Sequence, residues 1–138
     1  MSDGGTDNIV VVDTNVISFL FKGDTRALLY EPHLDGKLQI IAAQTLAELE
    51  RWALFHNWGE RRREALREYL REFVFVSADE TVCLHWAEVK NNAHRIGRPI
   101  SSEDAWIAAT ALAYNVPLVT HNPDDFKNVP NLTVITEK

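Results

Sequence analysis

The stretch Asn8–Val12, "NIVVV", is short, β-branched and apolar at consecutive positions, and it runs directly into Asp13. A strand with no polar face can lie only in a sheet covered on both sides. Further runs of this kind are expected at Leu38–Ala42, Phe73–Ser77, Val116–Thr120 and Leu132–Thr136. Helical periodicity separates them. It predicts helices over Thr14–Phe21, Thr25–Tyr30, Thr45–Asn57, Glu60–Glu72, Asp79–Arg95 and Ser101–Asn115. "EPHLDG" reads as a turn, "NWG" as a break, and Gly97 with Pro99 as a stop. Strands alternating with helices imply an α/β fold, a parallel sheet between helical layers. Ligand sites in such sheets lie beyond the carboxyl ends of the strands. Asp13 occupies one such end, and Thr120, His121 and Asn122 another.

The bulk properties fit one domain spanning residues 1–138, with 1–7 as a frayed polar tail that is neither a signal nor a transit peptide. No apolar run approaches the roughly 20 residues of a membrane span, so no membrane association is expected. The one cysteine, Cys83, excludes an internal disulfide and a thiolate cluster; it reads as a small core residue, and a reducing cytoplasm is the expected location. A net charge of −6 argues against an ordinary nucleic-acid binder. It argues less if several acids surround metal ions.

Four acids stand at or near strand ends. Asp13 serves equally as an N-cap for the helix behind it. Thr45 and Glu48 have capping-box spacing, and Glu50, two residues on, points to another face. Glu48 shares a stripe with Trp52 and Phe55. Ser101 and Asp104 again have capping-box spacing. Asp104, however, belongs to the stripe Ile107, Ala108, Ala111 and Leu112, which places its carboxylate on the inward face. A helix dipole contributes only about 0.3–1 kcal/mol there, too little to offset burial of a charge without a partner. Asp125, in "NPDDF", fits an Asx-type turn, and composition does not separate it from Asp124. Carboxylates without nitrogen or sulfur competitors suit Mg2+ or Mn2+. Such ions activate water and stabilise a phosphodiester transition state.

The segments "VVDTNVIS", "TLAELE" and "PISSEDAWIAATALAYNVPLVTHNPDDF", in this order, resemble the PIN-domain ribonucleases, most closely the VapC-type toxins of type II toxin–antitoxin pairs. The likeness runs from about Ile9 to Val134. It implies a PIN-like fold, a small parallel sheet sandwiched between helices. Asp13, Glu48 and Asp104 then correspond to metal-site acids, and Asp125 to the acid before the aromatic. Asn122 stands where some members carry Asp. Asn15 and Thr120 match polar residues that support the site. The resemblance further implies RNA as substrate, cleavage with Mg2+ or Mn2+ to a 5′-phosphate and a 3′-hydroxyl, a cognate VapB-like antitoxin and a homodimer.

Other features have plainer readings. In "GERRREALREYLRE" the ladder Glu60, Glu64, Glu68, Glu72 lies beside Arg63, Arg67, Arg71. This is a solvated, ion-paired face, with only Arg61 and Arg62 left for phosphate. Of five histidines, His121 stands near the site and is a candidate RNA contact. The four tryptophans read as core or interface. Some of Phe19, Leu20, Phe21, Leu54, Phe55 and Trp58 are expected to line a groove for an antitoxin peptide carrying a basic residue. Three alternatives remain: a PIN nuclease of RNA maturation without antitoxin, an inert PIN-like binding module, and a phosphatase using Asp13 as nucleophile. The last wants an acid where Asn15 stands.

Overall fold

The computed structural model describes residues 8–138; the expected tail, 1–7, lies outside the described residues. Five strands form one parallel sheet: β1 (Ile9–Val12), β2 (Leu38–Ala42), β3 (Val74–Val76), β4 (Leu118–Val119) and β5 (Val134–Ile135). Their spatial order is β3-β2-β1-β4-β5. The chain builds outward from β1 to β3 and then returns to the other side of β1. The order therefore reverses between β1 and β4, where the loops leaving the carboxyl ends diverge.

The helices are α1 (Thr14–Lys22), α2 (Ala27–Leu34), α3 (Ala43–Phe55), α4 (Glu60–Leu70), α5 (Glu80–Arg95) and α6 (Ser102–Tyr114). The pleat of β1 assigns its valines to opposite layers. Val10 and Val12 join Val16, Ile17, Leu49 and Leu66, from α1, α3 and α4. Val11 joins Ile107, Ala108 and Ala111 of α6, with Phe126 beside them. This two-sided burial is what the apolar strand demanded. Helix α6 is buried almost all round, because α5 covers the side turned away from the sheet. The expected α/β architecture, a small parallel sheet sandwiched between helices, is the one observed.

Local chemistry sets most boundaries. Gly23 caps α1 in the left-handed conformation, φ 70°, and donates its N–H to the Leu20 carbonyl at 3.3 Å. Asn57, at φ 55°, ends the turn after α3, where "NWG" was expected to break it. The "EPHLDG" turn is not observed as such. Helix α2 starts later than expected and continues through Glu31 and Pro32 to Leu34. Pro32 gives up one helical hydrogen bond, to the carbonyl of the exposed Leu28. Burial of Tyr30 and Leu34, four residues apart on one face, holds the turn regardless. Cys83 is also not in the core: it is exposed, on the outer side of α5, because Val82 takes the inward position.

Candidate active site at the carboxyl edge of the sheet

Asp13 ends β1 and caps α1. Its backbone is extended, and its N–H donates to the Val119 carbonyl of β4 at 2.9 Å. That register places Thr120, the residue after β4, beside it. The Thr120 hydroxyl donates to Asp13 Oδ2 at 2.6 Å and accepts the Asn122 N–H at 3.0 Å. Oδ1 accepts the Thr14 N–H at 2.8 Å. Capping and site geometry are thus one arrangement. Asp13 is only 5% exposed. Burial raises its pKa to about 6, against the pull of Thr120 and Thr14; the charges of Asp104 and Glu48 push it up further.

Glu48 approaches from α3. The capping box expected from Thr45 does not form, because α3 begins at Ala43, with Ala42 as its cap. Thr45 is buried in the first turn. The Thr14 hydroxyl donates to Glu48 Oε1 at 2.7 Å, and the Thr45 hydroxyl lies 3.1 Å from the same Thr14 oxygen. Glu48 is therefore tied to the residue after Asp13, while Glu50 turns away to Arg67 at 3.3 Å.

Asp104 lies in the first turn of α6. Ser101 is the N-cap and accepts the Asp104 N–H at 3.0 Å. The Asp104 carboxylate is half-buried and Glu103 is exposed, as the inward stripe predicts. Burial raises the Asp104 pKa; the Ser101 hydroxyl opposes this, and Asp125, Glu48 and Glu103 add to it.

Asp13, Glu48 and Asp104 line one hollow of about 340 Å3, with Thr14, Asn15, Ser18, Trp52 and Asn122. Asp104 is shared with a second hollow of about 280 Å3, bounded by Arg98, Asp124 and Asp125. Asp125 lines the second hollow and not the first, in the short 3₁₀ turn Pro123–Asp125. Asn122 lines the first hollow. Asn15 accepts the His121 N–H at 3.2 Å and so holds the loop after β4. Among the described residues, no three acids, histidines or cysteines stand close enough to grip one ion as they are placed.

Thr14 and Ser18 were not singled out from the sequence. Their signal was present: with Asn15 they are the only polar residues of α1 before Lys22. His121 does not face the hollow as an RNA contact would. It packs edge-on against Phe19 and Tyr30 and hydrogen-bonds the Tyr30 hydroxyl. The groove residues divide. Phe19 is buried, and Phe21, half-buried, packs on Trp58 and Tyr69 at the edge of the core. Leu54 and Phe55 are 58% and 70% exposed.

A doubly covered parallel sheet with three acids in one hollow at its switch point defines an α/β protein whose candidate site lies at the carboxyl edge of the sheet. The chain belongs to the PIN domain family, whose model matches residues 10–132. It is 41% identical over 129 residues to a Ribonuclease VapC of Rickettsia bellii, covering 92% of this chain and 95% of that one. VapBC2 from Rickettsia felis, solved bound to a promoter DNA fragment, matches with a TM-score of 0.84 at 23% identity. That match covers 94% of this chain and 99% of the other. VapBC-1 from nontypeable Haemophilus influenzae matches with a TM-score of 0.81 at 28% identity, covering 93% and 97%.

Proposed function

We propose that this chain is the toxin of a type II toxin–antitoxin pair, a single PIN domain that cleaves RNA as a metal-dependent endoribonuclease. The observation that carries this reading is the gathering of Asp13, Glu48 and Asp104 around one hollow at the switch point. The VapC relative of Rickettsia bellii, matched over almost its whole length, agrees with it.

The residues present suit a divalent cation. The donors are hard carboxylate oxygens, with Asn122 as a neutral oxygen beside them. Burial and neighbouring acids already disfavour the charged forms of Asp13 and Asp104, a cost that positive charge relieves. Asp13 and Asp104 would hold the ion, with Glu48 beside them, and Asp125 or Asn122 as a further oxygen. Mg2+ or Mn2+, when bound, supplies positive charge to the phosphate and acidity to water.

The chain's own residues supply the rest. Thr120 and the Thr14 N–H fix both oxygens of Asp13, so its orientation does not depend on substrate. Thr14 holds Glu48 toward the hollow. Glu48 and Asp104 are the candidates to take the proton of the attacking water. In the hydrolysis a water oxygen bonds to phosphorus and the P–O3′ bond breaks. The 3′-oxygen takes up a proton, giving a 5′-phosphate and a 3′-hydroxyl.

The partner is a VapB-like antitoxin whose basic residue enters among Asp13, Glu48 and Asp104, while apolar residues of the antitoxin cover Leu54 and Phe55. The toxin works in the cytoplasm as a homodimer. Among the described residues no helix is long and apolar enough to cross a membrane. The test is cleavage of RNA by the purified chain with Mg2+ or Mn2+, with chelator, and with the antitoxin peptide with and without its basic residue. Cleavage that survives the chelator ends the metal reading. Inhibition indifferent to the basic residue ends the proposed mode of inhibition.

A further inference from the structure

The acids of the hollow repel phosphate, and the chain has 20 acidic residues against 14 lysines and arginines. RNA therefore needs cations close to the site. Most arginines with defined contacts are spent on carboxylates: Arg26 on Asp24, Arg67 on Glu50 and Glu64, Arg71 on Glu68. Two cations are placed differently. Lys22 Nζ lies 4.1 Å over the ring of Trp52, and Arg62 Cζ lies 3.8 Å over the ring of Trp58. Neither forms an ion pair among the described residues.

The two pairs are contiguous, since the Trp52 and Trp58 rings are 5.0 Å apart at an angle of 56°. They also adjoin the acids, because Trp52 lines the same hollow as Asp13, Glu48 and Asp104. Lys22 and Arg62 are exposed and the two indoles half-buried. A cation resting on a ring face is held in place by it, yet keeps N–H donors turned to solvent. A guanidinium resting on an indole is itself a flat group on which a base can stack. Two adjoining flat rings flanked by two cations put stacking surface and positive charge side by side, which suits a polymer of bases and phosphates. A duplex hides its base faces and cannot use them.

We propose that Lys22–Trp52 and Arg62–Trp58 form a seat for single-stranded RNA adjoining the scissile phosphate. Bases stack on the indole and guanidinium planes, and the two cations hold phosphates. The proposal rests on the ribonuclease reading for its ligand. It adds which residues hold the strand beside the cut.

The experiment measures binding of a labelled single-stranded RNA of roughly a dozen nucleotides to the full chain carrying Asp104→Asn, so that nothing is cleaved. Trp52→Leu is expected to weaken binding about 5- to 100-fold, and Trp52→Phe to retain most of it. Lys22→Gln with Arg62→Gln is expected to reduce the slope of log affinity against log salt by about 1.4. Arg71→Gln, an equal loss of charge per residue on a paired arginine, is expected to leave the slope unchanged. The same RNA annealed to its complement should bind more weakly. Unchanged affinity and slope in the Lys22→Gln/Arg62→Gln chain overturn the proposal, even if Trp52→Leu fails to fold. Loss of antitoxin binding alone, with RNA binding intact, makes the strip a protein contact and also overturns it. RNA held by the strip but never cut by the wild type leaves the seat standing and removes the ribonuclease reading.

Discussion

On the outer face of α4, Arg71 meets Glu68 at 2.7 Å and Arg67 meets Glu64 at 3.3 Å, each pair one turn apart and open to water. At the carboxyl edge of the sheet, Asp13, Glu48 and Asp104 share one hollow, and none of them forms an ion pair among the described residues. Both regions are dense in charge. These two pairs balance charge against charge at the surface and ask nothing of a ligand. The edge leaves its acids partly desolvated and mutually repelled, which raises the pKa of Asp13 and of Asp104. Unbalanced charge, not abundance of charge, sets the carboxyl edge apart.

This contrast is sharpest in activity. Asp104→Asn keeps the size of the side chain and leaves the backbone cap on Ser101 intact. RNA cleavage is expected to fall by about 10²-fold or more, a loss typical of removing one preorganised electrostatic group, with circular dichroism unchanged. Equal cleavage by variant and wild type would remove Asp104 from the site, and an unfolded variant would make it a capping residue first.

Asp13→Asn is expected to separate stability from function. The Asp13 carboxyl titrates near 6 in the folded chain against an ordinary value of 3.8. Between these values the folded chain binds the extra proton, so stability falls as pH rises through the window. The penalty is absent below about pH 4 and complete above about pH 6. Asparagine, itself a good cap, should therefore make the chain about 1–3 kcal/mol more stable at pH 7. It should also flatten the fall in stability between pH 4 and 6 and abolish cleavage. Urea unfolding at several pH values measures this; a variant less stable at pH 7 would show that the charged carboxylate is already balanced. Mg2+ or Mn2+ should raise the melting temperature of the wild type and not of this variant.

Thr14→Val removes the hydroxyl that holds Glu48. A fall in cleavage of about 10-fold is expected, with a higher Mg2+ concentration needed for half-maximal rate, as for other groups that orient a ligand. A rate that falls with no change in that concentration would place Thr14 outside the cation's support. The smallest effect is expected on the other side of the comparison. Arg71→Gln breaks an exposed pair and should cost about 0.5 kcal/mol or less, with cleavage unchanged. A large loss there would mean that the α4 face is not merely solvated.

The site was legible in the sequence where local rules bind tightly. The run ending in Asp13 announced a buried strand with an acid at its exit, and the helical stripe through Ile107 and Ala108 was enough by its spacing to turn Asp104 inward. Glu48 was legible as an acid but not as to its role. The apparent capping box from Thr45 dissolved because α3 starts two residues earlier, at a position no side-chain cap marks. His121 and Cys83 were misplaced for a related reason. One residue of offset on a strand exit or a helix turns a side chain to another face, and single residues carry no periodicity.

What the sequence alone determined is therefore the layering. Consecutive apolar residues in β1 have no face to give to water, so a parallel sheet covered on both sides follows from the chain itself. The tertiary structure decided which acids meet. Asp13, Glu48 and Asp104 come from three elements far apart in the chain; β2 and β4 flank β1, so that Thr14 reaches Glu48 on one side and Thr120 meets Asp13 on the other. The same long-range packing put Trp52 at the rim of the acids and laid Lys22 and Arg62 on neighbouring indoles. No local pattern encodes such meetings, because they depend on the order of strands in space and not on their order along the chain.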